Sequence, residues 1–144
     1  MVILKGLFEH AVLQRDADNR SFTFISGLTP NNTAISVSVI DAYGYTLSDV
    51  TLVALRFTKE ENTYAFEGRL MGIPVGGPFE ISLTQEKTLT IKDVLVGDLY
   101  VLAGQSNMEG IGILGDKMVP QALTRAFYMD ERWDMADDPL HDLP

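Results

Sequence analysis

Ala34-Ile-Ser-Val-Ser-Val-Ile40 sets the fold of most of this chain. Ile35, Val37 and Val39 fall on one side of an extended backbone, and Ser36 and Ser38 on the other. That two-residue period describes a strand with one buried and one wet face. Working outward, residues 21–25, 52–57, 64–70, 79–83 and 88–94 read the same way. Turn chemistry separates them: Thr29-Pro-Asn-Asn32, Asp41-Ala-Tyr-Gly44, Lys59-Glu-Glu-Asn62 and Gly72-Ile-Pro-Val-Gly-Gly-Pro78. Six or seven short strands so spaced predict a mainly β fold, with a β-sandwich over residues 1–96. The sequence gives no helix before residue 105, no repeat and no low-complexity segment.

Beyond about Val94 the pattern changes. Tyr100-Val-Leu-Ala103, between Gly97 and Gly104, is continuously apolar, as a strand covered on both faces of an α/β sheet would be. Gly104-Gln-Ser-Asn-Met108 then places the Ser106 hydroxyl at the carboxyl end of that strand, where open α/β sheets bind ligands. Residues 107–114 are expected to begin a helix, weakened by Gly110 and Gly112, whose first N–H groups could stabilise an oxyanion. Residues 123–129 read as a strand or an apolar packing segment, and 130–135 as a helical turn around Trp133. The expected boundary lies near Val94–Gly97, leaving residues 97–144 as the opening of an α/β domain. Fewer than fifty residues are short of the roughly 100–200 such a domain needs, so the reading is of a truncated one. Leu99, Val101 and Leu102 then lack partners, which predicts self-association, docking on the sandwich, or packing against a missing remainder.

Composition narrows the function classes. The chain has 144 residues, 46% apolar and 22% charged, ordinary for a globular protein. The net charge of −9, concentrated in six carboxylates against one arginine from Asp130 to Pro144, argues against a nucleic-acid partner. With no cysteine, thiolate zinc sites, disulfides and cysteine nucleophiles are excluded and the compartment stays open. The acidic spacing does not follow a calcium loop, and no metal or cofactor is expected. No window reaches the length and hydrophobicity of a membrane span, and Met1-Val-Ile-Leu-Lys-Gly-Leu-Phe8 does not read as a signal peptide.

A serine hydroxyl needs a base, usually a histidine oriented by a carboxylate, and preorganised oxyanion donors. Gly104 and Ser106 match the start of the Gly-x-Ser-x-Gly elbow, but Met108 replaces the second glycine, so an ordinary turn stays open on these residues alone. The imidazoles are His10 and His141. Asp138-Pro-Leu-His141 has Asp-x-x-His spacing, whereas His10 precedes an apolar strand and reads as structural. Trp133 and Tyr128 could stack on a sugar or pack internally. Arg15 and Asp16 read as a structural pair rather than a substrate clamp.

Three blocks resemble the sialate O-acetylesterase family: Leu7-Phe-Glu-His-Ala-Val-Leu-Gln-Arg-Asp16, Gly77-Pro-Phe-Glu-Ile-Ser-Leu83, and Thr88-Leu-Thr-Ile-Lys-Asp-Val-Leu-Val-Gly-Asp-Leu-Tyr-Val-Leu-Ala-Gly-Gln-Ser-Asn-Met-Glu109. The resemblance implies a β-sandwich leading into an SGNH-type hydrolase domain whose first block is Gly-Gln-Ser-Asn. It implies Ser106 as nucleophile and oxyanion donor through its N–H, with Gly104, Gln105 and Asn107 shaping the turn. The implied reaction is metal-free hydrolysis of O-acetyl esters on a carbohydrate through an acyl-enzyme, in a secreted, periplasmic or lysosomal protein. The family's Asp-x-x-His lies near the end of a much longer domain. Asp138 and His141, only 35 residues after Ser106, fit it formally and too early. The base is therefore expected from outside this chain. The alternative reading is a non-catalytic sandwich that binds a glycan or a protein.

Overall fold

The computed structural model describes residues 1–104, 115–138 and 140. Ten strands run in chain order: β1 (Val2–Lys5), β2 (Val12–Gln14), β3 (Arg20–Thr29), β4 (Ser36–Ile40), β5 (Thr51–Lys59), β6 (Tyr64–Pro74), β7 (Gly76–Thr84), β8 (Thr88–Gly97), β9 (Arg125–Phe127) and β10 (Trp133–Met135). One sheet has the order β1-β3-β6-β5 and the other β2-β8-β7-β4, with β9 and β10 forming a separate hairpin. The chain is mainly β in a sandwich-like arrangement, with no helix among the described residues.

Alternation drives this assembly. Ile35 and Val39 are buried, Val37 partly so, and Ser36 and Ser38 face water. Ile25, Phe66, Leu70 and Ile73 from one sheet meet Val39, Ile81, Leu83, Ile91 and Val94 from the other in a single core. Each fully buried side chain of this size stabilises the fold by about 1.5–3 kcal/mol. The turns follow their expected chemistry. Asp41 Oδ1 accepts from the N–H groups of Tyr43 and Tyr45, both at 2.9 Å, and Gly44 takes the left-handed conformation the turn requires (φ +87°).

The apolar strand expected after His10 is β2, whereas β1 escaped the sequence reading, because four residues are too few to display a period. The stretch from Gly72 to Pro78 was expected as a turn. Instead β6 runs through Pro74 and β7 starts at Gly76, so long strands reach nearly to each other. Two expectations for the later part are corrected. Tyr100-Val-Leu-Ala103 forms no strand: β8 ends at Gly97, no neighbouring strand among the described residues continues beside the run, and Tyr100, Val101 and Leu102 are 82%, 90% and 72% exposed. Apolar composition makes a strand only where a partner strand and a covering layer exist. For the same reason the run does not dock on the sandwich. Residues 130–135 are not a helical turn but the second half of a hairpin, closed by Tyr128 N–H donating to Arg132 O (2.9 Å). The helix expected from 107 to 114 lies outside the described residues.

Candidate functional site

The three sequence blocks quoted above converge in one sheet. β2 lies parallel to β8, pairing Val12 with Leu95, Leu13 with Val96 and Gln14 with Gly97, while β7 lies antiparallel on the other side of β8. Blocks some eighty residues apart are therefore neighbours around the strand that leads towards Ser106. Gly77 allows a close approach of β7 to β8. Its φ is +123°, and a Cβ there would sit 2.8 Å from Val94 O and 2.9 Å from Leu95 Cδ2. Only glycine fits that conformation without strain.

Where β8 ends, the first block grips the departing chain. Arg15 N–H donates to Gly97 O (2.9 Å). Its guanidinium donates through Nε to Asp98 Oδ1 (2.9 Å) and through Nη2 to Oδ2 (3.2 Å), and a third nitrogen reaches Asn19 Oδ1. Gln14 Oε1 accepts from Leu99 N–H (2.9 Å). The Arg15 hydrogen bonds hold the Asp98 carboxyl below the usual aspartate range, and Asp98 in turn raises Arg15. Arg15 is thus structural as expected, but its partner is Asp98. Asp16 instead caps the following turn, accepting from Asp18 and Arg20 N–H groups.

A second anchor holds the chain on its return. Arg125, whose side chain is only 3% exposed, donates to Asp93 Oδ1 (2.8 Å) and Oδ2 (2.7 Å) through Nη2, and to Oδ2 through Nε (3.1 Å). Its Nη1 satisfies the carbonyls of Ala122 and Thr124. His10 Nδ1–H donates to Asp93 Oδ2 at 2.6 Å, the carboxylate being able only to accept. His10 and Asp93 both adopt positive φ (61° and 56°), so each backbone bends to bring the pair together. Sequence reasoning took His10 as structural but missed Asp93 and Arg125, because 32 and 83 residues separate the partners.

Above this cluster the β9–β10 hairpin and the residue 8–10 loop enclose a cleft of about 410 Å³, lined by Phe8, Glu9, His10, Glu131, Arg132, Trp133 and Asp134. Arg132 is committed to Asp130 and Asp134, and Asp134 is held below its usual range by the Met135 N–H and then by Arg132. Trp133 is half-buried and leans on Phe127 (centroids 5.4 Å apart), and the Tyr128 hydroxyl donates to Met135 O (2.8 Å). Both aromatics therefore serve packing. No group of three His, Cys, Asp or Glu arranged for a metal occurs among the described residues.

Gly104 lies in the exposed run after β8, whereas Gln105, Ser106, Asn107 and His141 lie outside the described residues. Asp138 Oδ2 accepts from Met118 N–H (3.1 Å), a backbone-capping role. No curated protein and no solved structure matched the chain. A family model does match residues 96–143, about one third of the chain, and it describes a carbohydrate esterase, the sialic acid-specific acetylesterase. The match begins where β8 leaves the sandwich and includes Gly104-Gln-Ser-Asn107. Residues 96–143 are accordingly similar to the sialic acid-specific acetylesterase family of carbohydrate esterases.

Proposed function

We propose that this protein works in carbohydrate O-deacetylation, with Ser106 attacking the acetyl carbonyl of an O-acetylated sugar. The observation that supports this most is the family match, which covers the Ser106 segment from the end of β8 onward. In this reading the serine forms an acyl-enzyme, and its own N–H is one donor to the tetrahedral oxyanion. Gln105 and Asn107 shape the turn around it, at the opening of an SGNH-type domain.

A histidine must take the serine proton. The Nδ1 bond of His10 to Asp93 leaves Nε2 unengaged among the described residues, but Asp93 is held by the buried Arg125, and we read His10 as part of that anchor rather than as the base. Asp138 is likewise engaged by Met118 N–H, which disfavours the formal Asp138–His141 pair. The base in this proposal comes from outside residues 1–144. Its test is acetate release from an O-acetylated sialic acid by the native gene product. Ser106→Ala is expected to lower the rate by at least about 10³-fold. A Ser106→Ala protein with unchanged turnover would overturn the assignment.

A further inference from the structure

The outward side of the β1-β3-β6-β5 sheet has no covering layer among the described residues, and its register lays out an ordered array. Lys5, Ser26, Glu67 and Arg56 form one row across the four strands. Phe24, Arg69 and Val53 form the next, and Phe22, Met71 and Thr51 the one after. Directly opposed residues share a face, so these side chains project together. A bulge in β5 between Val53 and Arg56, with Ala54 at φ 51°, turns Arg56 outward.

Two features set this face apart. The first is charge: Lys5, Arg56 and Arg69 stand against one carboxylate, Glu67, in a chain of net charge −9. Among the described residues none of these three cations forms a salt bridge. The second is aromatic exposure. Phe22 and Phe24 are 40% and 59% exposed and meet edge to face at 5.5 Å. The Arg69 guanidinium lies 5.6 Å and 4.8 Å from their ring centres, which positions it while leaving its N–H groups without a carboxylate. Basic groups beside exposed rings complement a ligand that is anionic at one end and has a C–H-rich face at the other.

We propose that this sheet face anchors a carboxylate-bearing saccharide, with Arg69 and Lys5 facing the carboxylate and Phe24 and Phe22 carrying the sugar ring. The choice of a saccharide rests on the esterase reading above; the charge and the aromatic array do not. The anchor lies on the sheet opposite the one that contains β8, and we read it as holding a glycan chain rather than processing it.

The experiment is a titration of the native gene product with 3′-sialyllactose and with lactose, followed by backbone and side-chain NMR shifts. The sialoside carries no O-acetyl ester, so binding is read independently of any hydrolysis, and Ser106→Ala should bind unchanged. The expected result is binding of the sialoside at least about tenfold tighter than lactose, with shifts centred on residues 22–24 and 69. Added salt should weaken it. Arg69→Glu should weaken binding by about tenfold or more, Phe24→Ala should also weaken it, and Arg69→Lys should retain part of it. All three substitutions lie on the water-facing side, and an unchanged thermal transition will confirm folding. Equal affinity for both sugars, no binding, or shifts elsewhere would overturn the proposal. So would a self-association abolished by Arg69→Glu, which would make a second copy the occupant.

Discussion

Asp93→Asn should undock the β9–β10 hairpin while leaving the sandwich folded. The substitution removes the charge that Arg125 faces at 2.7 and 2.8 Å and turns one of the two oxygens shared by Arg125 and His10 into an NH2 donor. The guanidinium, 3% exposed, would stay buried with one amide oxygen and the carbonyls of Ala122 and Thr124 as acceptors and its charge unmatched. Breaking a fully buried pair by removing one partner costs about 3–5 kcal/mol. Asp93 is 28% exposed, so water offsets part of that, leaving about 2–3 kcal/mol. Such a loss shifts docking by roughly 30–150-fold. The hairpin carries Trp133, the single tryptophan, half-buried beside His10 in the cleft. Its emission therefore reports docking alone, while far-UV circular dichroism reports the two sheets. In urea, the tryptophan transition of Asp93→Asn should move to lower denaturant and separate from the circular-dichroism transition. Arg125→Ala should do the same to a smaller degree, because it leaves a partly solvated carboxylate still bonded to His10. Coincident, wild-type transitions in both variants would refute the anchoring argument.

Other consequences follow from the same geometry. Arg15→Ala should speed hydrogen exchange at the Leu99 amide, since it frees Asp98 and the exit of β8 from the first block. The Asp98 carboxyl is held below its unfolded value, so its stabilising contribution is present above about pH 4 and lost as pH falls through the lowered value; the protection of the Leu99 amide relative to intrinsic exchange should fall on acidification in the wild type and change less in Arg15→Ala. Gly77→Ala should destabilise the sandwich by about 1–3 kcal/mol, through a positive φ and contact with Val94 O, read as a lower urea midpoint. Replacing Val101 and Leu102 by serine should reduce concentration-dependent association in sedimentation velocity without altering the urea midpoint, because both side chains are exposed.

The sandwich was legible because its strands have one wet face. Ile35, Val37 and Val39 against Ser36 and Ser38 state which side is inward before any partner is known. The later part was less legible for physical reasons. Tyr100-Val-Leu-Ala103 looks like a buried strand, but burial depends on neighbours that the stretch does not itself specify. The Trp133 region was taken for a helical turn because its pairing with Arg125–Phe127 depends on a turn at Tyr128–Arg132, where Glu131 adopts positive φ. Around the site, Gln14 and Arg15 lay in a recognisable block, but their grip on Leu99 and Asp98 emerges only from the parallel β2–β8 pairing. The Asp93 anchor left no local signal, since an aspartate between Lys92 and Val94 in an alternating strand reads as one more solvated residue.

The central functional claim is that the segment leaving β8 carries an esterase nucleophile at Ser106. Its most direct test is to treat the folded native gene product with a fluorophosphonate and map the modified residue by peptide mass spectrometry. The account predicts modification at Ser106, absent from Ser106→Ala and from urea-unfolded protein. Modification at another serine, or an unmodified Ser106 in the folded protein, would contradict it.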